Sequence, residues 1–159
     1  MRAAIALVTG ALIALSGCGE DDPLSPENLA GTYPLALVNG GSPSEYHAVA
    51  AADCTAAFQT GSLIINRDHS FEFQVAYYYH CTTTNAMEGP GTIIVVGDDA
   101  RIVNGVLYLD GCGPALGTPT ACPAWTLDVR PSLPQLTVQF LGAAALFWGD
   151  PVFTMGPRE

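Results

Sequence analysis

The amino-acid sequence predicts an all-β domain: an antiparallel up-and-down barrel or a compact sandwich of about eight or nine strands, with one short helix. Three observations predict it. Apolar and polar residues alternate with period two through several separate runs, as in strands with one buried face. Turn-forming clusters such as Asn39-Gly40, Arg67-Asp68-His69-Ser70 and Pro131-Ser132-Leu133-Pro134 fall between those runs. Past the first residues, only one alanine-rich stretch has helical composition. Closure into a barrel would also hide the edges of a sheet this apolar.

The chain opens with Arg2 and an apolar run from Ala3 to Leu15 broken only by Thr9 and Gly10, the n-region and h-region of an export signal over residues 1–17. A spanning helix needs about 20 largely apolar residues, so the run reads as a signal and not as a membrane span. Leu15-Ser16-Gly17-Cys18 follows, and resembles the bacterial lipobox: a branched apolar residue, two small residues and a cysteine. The resemblance implies cleavage before Cys18, diacylation of its thiol and a lipid-anchored place in the cell envelope. Gly19 stands where an aspartate would retain some lipoproteins in the inner membrane, so the expected site is the outer membrane, facing the periplasm or the cell surface. Two or more acyl chains, at about 0.8 kcal/mol per buried methylene, make such an attachment durable. Residues 18–30 then read as the lipidated cysteine and an acidic flexible tether, and residues 31–159 as a single β domain.

Within that domain Tyr33, Leu35 and Leu37 alternate towards Asn39-Gly40, which suits a tight hairpin turn. Ala48 to Phe58 is alanine-rich and predicts the short helix. Ser62 to Asn66 and Phe71 to Tyr79 predict a hairpin through residues 67–70. In its second arm Phe71, Phe73, Val75, Tyr77 and Tyr79 share one face, and Glu72, Gln74, Ala76, Tyr78 and His80 the other. Further strands are expected at 91–96 and 102–109, where Asn104-Gly105 reads as either a hairpin turn or a bulge. Trp125, Leu127 and Val129 alternate in one run, and Leu136, Val138 and Phe140 in the next. The last strand is expected within 144–155, interrupted near Gly149-Asp150-Pro151.

Leu29-Ala30-Gly31-Thr32-Tyr33-Pro34-Leu35, followed by Val38-Asn39-Gly40, resembles the opening strand of lipocalin-like barrels, whose signature is Gly-x-Trp or Gly-x-Tyr. The resemblance implies that the aromatic ring plugs the closed end of a barrel and that an arginine near the last strand packs on it. By position these are Gly31, Tyr33 and Arg158, with Arg130 the second choice for the arginine. Bacterial META-type domains begin with a similar strand, but their motif rich in Gly, Asn and Cys has no counterpart in this chain.

Setting Cys18 aside leaves Cys54, Cys81, Cys112 and Cys122, an even number that in an oxidising compartment reads as two disulfides. Three pairings are open; Cys54 with Cys81 and Cys112 with Cys122 are favoured, because the latter bracket a short Gly/Pro-rich loop. Without Cys-x-x-Cys spacing, zinc is not expected. Fifteen Asp and Glu face five Arg and no Lys, a net charge of −10 that repels phosphate backbones and excludes nucleic acid as a partner.

Catalytic residues, metal ligands and cofactors are not expected. The histidines are His47, His69 and His80, and no His-x-His, His-Glu-x-x-His, Gly-x-Ser-x-Gly or phosphate loop is present. A zinc site from His47, His80 and Glu45 or Glu72 is the nearest approach to one. The expected function is a membrane-anchored envelope lipoprotein whose barrel binds a small apolar ligand or an envelope partner. The alternative is a structural or interaction lipoprotein with a solid core and no ligand, and an enzyme stands third. The two leading readings part on whether the interior is open or filled, since Phe71, Phe73, Trp125, Phe140, Phe147 and Trp148 are all available to fill it.

Overall fold

The computed structural model describes residues 22–49, 53–82, 89–113, 124–142 and 148–159. Its elements are α1 (Pro26–Leu29), β1 (Gly31–Val38), β2 (Tyr46–Ala48), β3 (Cys54–Ile65), β4 (Phe71–Cys81), β5 (Gly89–Val103), β6 (Val106–Cys112), β7 (Ala124–Ser132), β8 (Gln135–Leu141) and β9 (Val152–Met155). From β3 to β9 each strand pairs antiparallel with the next, and β1 pairs with both β3 and β9. The sheet therefore closes on itself as an eight-stranded antiparallel barrel, with β2 an extra strand on β3. This is the all-β barrel the alternation predicts, closed through the first and last strands.

Each clear run of alternation becomes a strand with its apolar face inward. Phe71, Phe73 and Val75 of β4 and Leu136, Val138 and Phe140 of β8 are buried, as are Trp125, Leu127 and Val129 of β7. The Arg67–Ser70 turn is held by the Asp68 carboxylate, which accepts hydrogen bonds from the Ser70 N–H (3.1 Å) and Oγ (2.6 Å). Asn104 and Gly105 have φ of 52° and 75°, the geometry of a two-residue hairpin turn whose twist matches its strands. They separate β5 from β6, so the expected strand over 102–109 is two strands.

Four other expectations are corrected. Ala48 to Phe58 is not a helix: Ala48 ends β2 and residues 54–58 begin β3. Ala56 lies between His47 and Tyr79 across the sheet, fully buried, where a small side chain lets the larger neighbours meet. Tertiary packing there overrides the modest helix preference of alanine. Asn39-Gly40 makes a tight turn, with Val38 and Gly41 exchanging backbone hydrogen bonds of 3.0 and 2.9 Å, but it does not join a hairpin. The chain runs on to β2, which pairs with β3 instead of β1. In β1 the register slips between Leu35 and Leu37, so Val38 faces the core and Leu37 is exposed. The fourth correction is the tether, which ends before residue 30: α1 is ordered and Leu29 is buried in the core. For the last strand the structure gives Val152–Met155, and residues 143–147 lie outside those described.

β1 leaves β3 after Pro34, the last pair of their ladder, and turns to β9; proline has no N–H to continue the β3 ladder. Further along, β2 takes over the same edge of β3.

The barrel interior is a continuous set of rings. Phe153 lies 5.1 Å from Phe58, 5.4 Å from Phe73 and 5.2 Å from Phe140, and Trp125 lies 5.2 Å from Phe140. These are edge-on contacts of the kind aromatic rings prefer. Trp148 caps the group at 4.7 Å from Tyr77 and 6.2 Å from Phe58. The wall gives way where rings need room: a Cβ at Gly91 would fall within the Tyr77 ring, and one at Gly113 within the Trp125 ring.

Phe153→Ala removes the ring that three others touch. It is expected to lower unfolding free energy by about 3–5 kcal/mol in urea titrations, as for other large buried rings.

Candidate functional site at the N-terminal end of the barrel

The pairings Gly31–Ile65, Ile65–Phe71, Leu35–Met155 and Leu136–Met155 put one set of strand ends together. This N-terminal end carries α1, the β3–β4, β5–β6 and β7–β8 turns and residues 156–159. The other end carries the β4–β5, β6–β7 and β8–β9 connections.

At the N-terminal end Ser25 caps α1, its Oγ accepting from the Asn28 N–H at 3.3 Å, and Pro26 occupies the first turn, where a missing N–H costs nothing. One turn of helix leaves carbonyls that need partners. Tyr33 Oη donates to Leu29 O at 2.8 Å, a buried bond, and Arg158 Nη1 donates to Asn28 O at 3.0 Å and Ala30 O at 3.3 Å. The Arg158 alkyl chain crosses Gly31 so closely that a Cβ there would collide with it. Burial raises the pKa of the Tyr33 phenol, opposed by the charge and hydrogen bonding of the neighbouring Arg158.

The structure thus brings together Gly31, Tyr33 and Arg158, the residues matched to the lipocalin-like strand. Arg130 is elsewhere, on the outer face, with Nη2 2.8 Å from the buried Asp128 carboxylate. The Arg158 guanidinium works on backbone carbonyls, which the sequence pattern did not foretell because a four-residue helix is too short to show a period.

Beside this constellation opens a cleft of about 710 Å³ lined by Pro23, Leu29, Tyr33, Leu133, Pro134 and Arg158. Leu133, at the tip of the β7–β8 turn, is 66% exposed. A further link ties α1 to the barrel: Glu27 Oε1 lies 3.0 Å from His69 Nε2 in the β3–β4 turn. Hydrogen bonds from His69, from its own backbone and from Ser25 hold the Glu27 carboxyl at about 2, against an ordinary 4.5.

At the opposite end Cys54 and Cys81 are cross-strand partners joined by a disulfide. Cys112 is disulfide-bonded as well, and Cys122 lies outside the described residues. So do Cys18 and the whole expected signal. His47 pairs with Ala56 and His80 with Thr55, in successive rows of the sheet, so the two imidazoles take opposite faces and do not share an ion. Among the described residues no three His, Cys, Asp or Glu side chains group as metal ligands.

The outer face of β5–β7 holds a polar network that sequence reading missed. Asp110 accepts from Thr126 Oγ1 and from Arg101 Nε (2.7 Å), and the Arg101 guanidinium stacks 4.9 Å from the Tyr108 ring centre. Its signal was the presence of acids and arginines at alternate, outward positions of neighbouring strands.

No protein-family profile, curated protein or solved structure matches this chain.

Two outcomes follow for this end. Tyr33→Ala is expected to destabilise by about 3–5 kcal/mol and Tyr33→Phe by about 1–2 kcal/mol, since the latter keeps the ring but leaves Leu29 O without its buried donor. Equal melting temperatures for Tyr33→Phe and the parent would show that the hydroxyl contributes nothing. For Glu27, whose pKa is lower folded than unfolded, the stabilisation is complete above 4.5 and disappears as pH falls towards about 2. The protection of amides in residues 22–30, relative to their intrinsic exchange rates, should therefore fall as pH drops across that window in the parent, whereas Glu27→Gln should lack this dependence.

Proposed function

We propose that this chain is a lipid-anchored cell-envelope protein whose barrel serves as a solid-core interaction module and not as a carrier of ligand in its interior. One observation carries the choice: among the described residues Phe58, Phe73, Trp125, Phe140 and Phe153 meet ring to ring in the barrel interior, where a ligand would sit. Ligand-holding barrels need an interior wider than their side chains fill. What such a protein offers a partner is its outer faces and its ends.

The anchor half of the reading rests on Leu15-Ser16-Gly17-Cys18 following an h-region of suitable length. The disulfide at Cys54 and Cys81 accords with export to an oxidising compartment. In this reading the protein is no enzyme.

Mass spectrometry of protein purified from the membrane fraction tests both halves. Denatured, the mature chain should begin at an acylated Cys18, and Cys18→Ala should release the protein from the membrane. Under native conditions no apolar small molecule should travel with it. An unmodified N-terminus on membrane-bound protein would end the anchor reading, and a stoichiometric apolar passenger would restore the carrier.

A further inference from the structure

The segment expected to be a free tether is tied to the barrel at several points. Asp22 O accepts from the Ser25 N–H at 2.8 Å and from Asn28 Nδ2 at 2.9 Å, and Asp22 Oδ1 accepts from the Leu24 N–H at 2.9 Å. Glu27 is held by His69, and the carbonyls of Asn28 and Ala30 by Arg158. Cys18 is only four residues from Asp22. Fully extended, that stretch reaches about 14 Å.

A leash this short decides which end of the barrel faces the membrane. β1 alone spans about 25 Å along its length, so the opposite end lies beyond what the leash allows if the acyl chains are in the bilayer. The N-terminal end also has a surface suited to lipid. Leu133 projects from its turn with 66% of its area exposed, beside Pro134 and across the cleft from Pro23 and Pro157. Apolar side chains at this depth gain by entering the interfacial layer, roughly 5–10 Å into the boundary of headgroups and acyl chains. The net charge of −10 gives anionic headgroups no attraction, so contact depends on the leash and the apolar rim.

We propose that the end of the barrel built from α1, the β7–β8 turn and the C-terminal residues rests on the phospholipid bilayer, with Leu133 in its interfacial layer. The inference rests on acylation of Cys18. It turns the opposite, disulfide-bearing end away from the membrane.

The test uses the full mature protein in vesicles of phosphatidylethanolamine and phosphatidylglycerol containing bromine-labelled acyl chains. Native Trp125 and Trp148 are buried and provide a constant background. Leu133→Trp adds a reporter on the proposed contact, and Ser44→Trp adds one in the β1–β2 connection at the far end. The added emission of Leu133→Trp should fall by about half or more, as expected for a ring at interfacial depth, and that of Ser44→Trp should be unchanged. Slower amide exchange at Ser132 and Leu133 on vesicles gives the same answer without a substitution.

Mass spectrometry of the same samples separates the two ideas. An acylated protein whose Leu133→Trp emission is unquenched, with unslowed exchange, overturns the docking proposal and leaves the anchor standing; the rim would then be free for a protein partner. Quenching without acylation upholds the docking and removes the anchor. Stronger quenching at Ser44→Trp than at Leu133→Trp reverses the orientation and overturns the proposal.

Discussion

Phe153 sits where the barrel closes, and its ring meets Phe58 of β3, Phe73 of β4 and Phe140 of β8. β9, which carries it, is only four residues long. So short a strand between β1 and β8 offers few ladder hydrogen bonds, and the buried rings give it the reason to stay in place. Closure and core are one constraint: if β9 moved away, the aromatic interior would be opened to water, and β1 and β8 would become edges. The same rings that close the barrel also form its core, so closure and core packing stand or fall together.

The exterior obeys a different constraint. In a chain with three acids for every cation, three of the five arginines meet carboxylates or carbonyls. Arg101 pairs with Asp110 and Arg130 with Asp128, while Arg158 binds the carbonyls at the end of α1. Asp128 is the case with most at stake, because it is 5% exposed and a buried carboxylate without a partner is strongly unfavourable. Exposed Arg130 supplies a two-pronged contact from the same strand face, so local register alone secures the pair.

Strands whose alternation is uninterrupted were legible in the sequence: β7 and β8 bury the apolar residues their period assigns, and β4 buries Phe71, Phe73 and Val75 while Tyr77 and Tyr79 pack half-buried against the core. Failures came where one local rule met a stronger distant demand. The alanines at 56 and 57 favour helix in isolation, yet β3 needs small residues between His47, Tyr79 and the facing strands. The β1 alternation broke at a register slip, which shifts every later side chain to the other face and leaves no mark in composition. α1 was hidden because four residues are too few to show a period, and because two of its partners, His69 and Arg158, come from distant places in the chain. The pairing of Gly31, Tyr33 and Arg158 was legible only through a resemblance between short motifs; what Arg158 binds was not.

The topology gives the two ends unlike characters. At the N-terminal end β3 joins β4, β5 joins β6 and β7 joins β8 through short turns, and side chains from the first and last segments of the chain knit the surface together. The opposite end receives the longer connections between β4 and β5, β6 and β7, and β8 and β9, and it also carries the Cys54–Cys81 bridge. Adding chain to a connection costs little once a barrel is closed, since loop entropy grows only slowly with length. One end is thus tied by short turns and by side-chain bonds from α1 and Arg158, and the other by the disulfide at the root of its longer connections, so the same barrel presents two differently built surfaces.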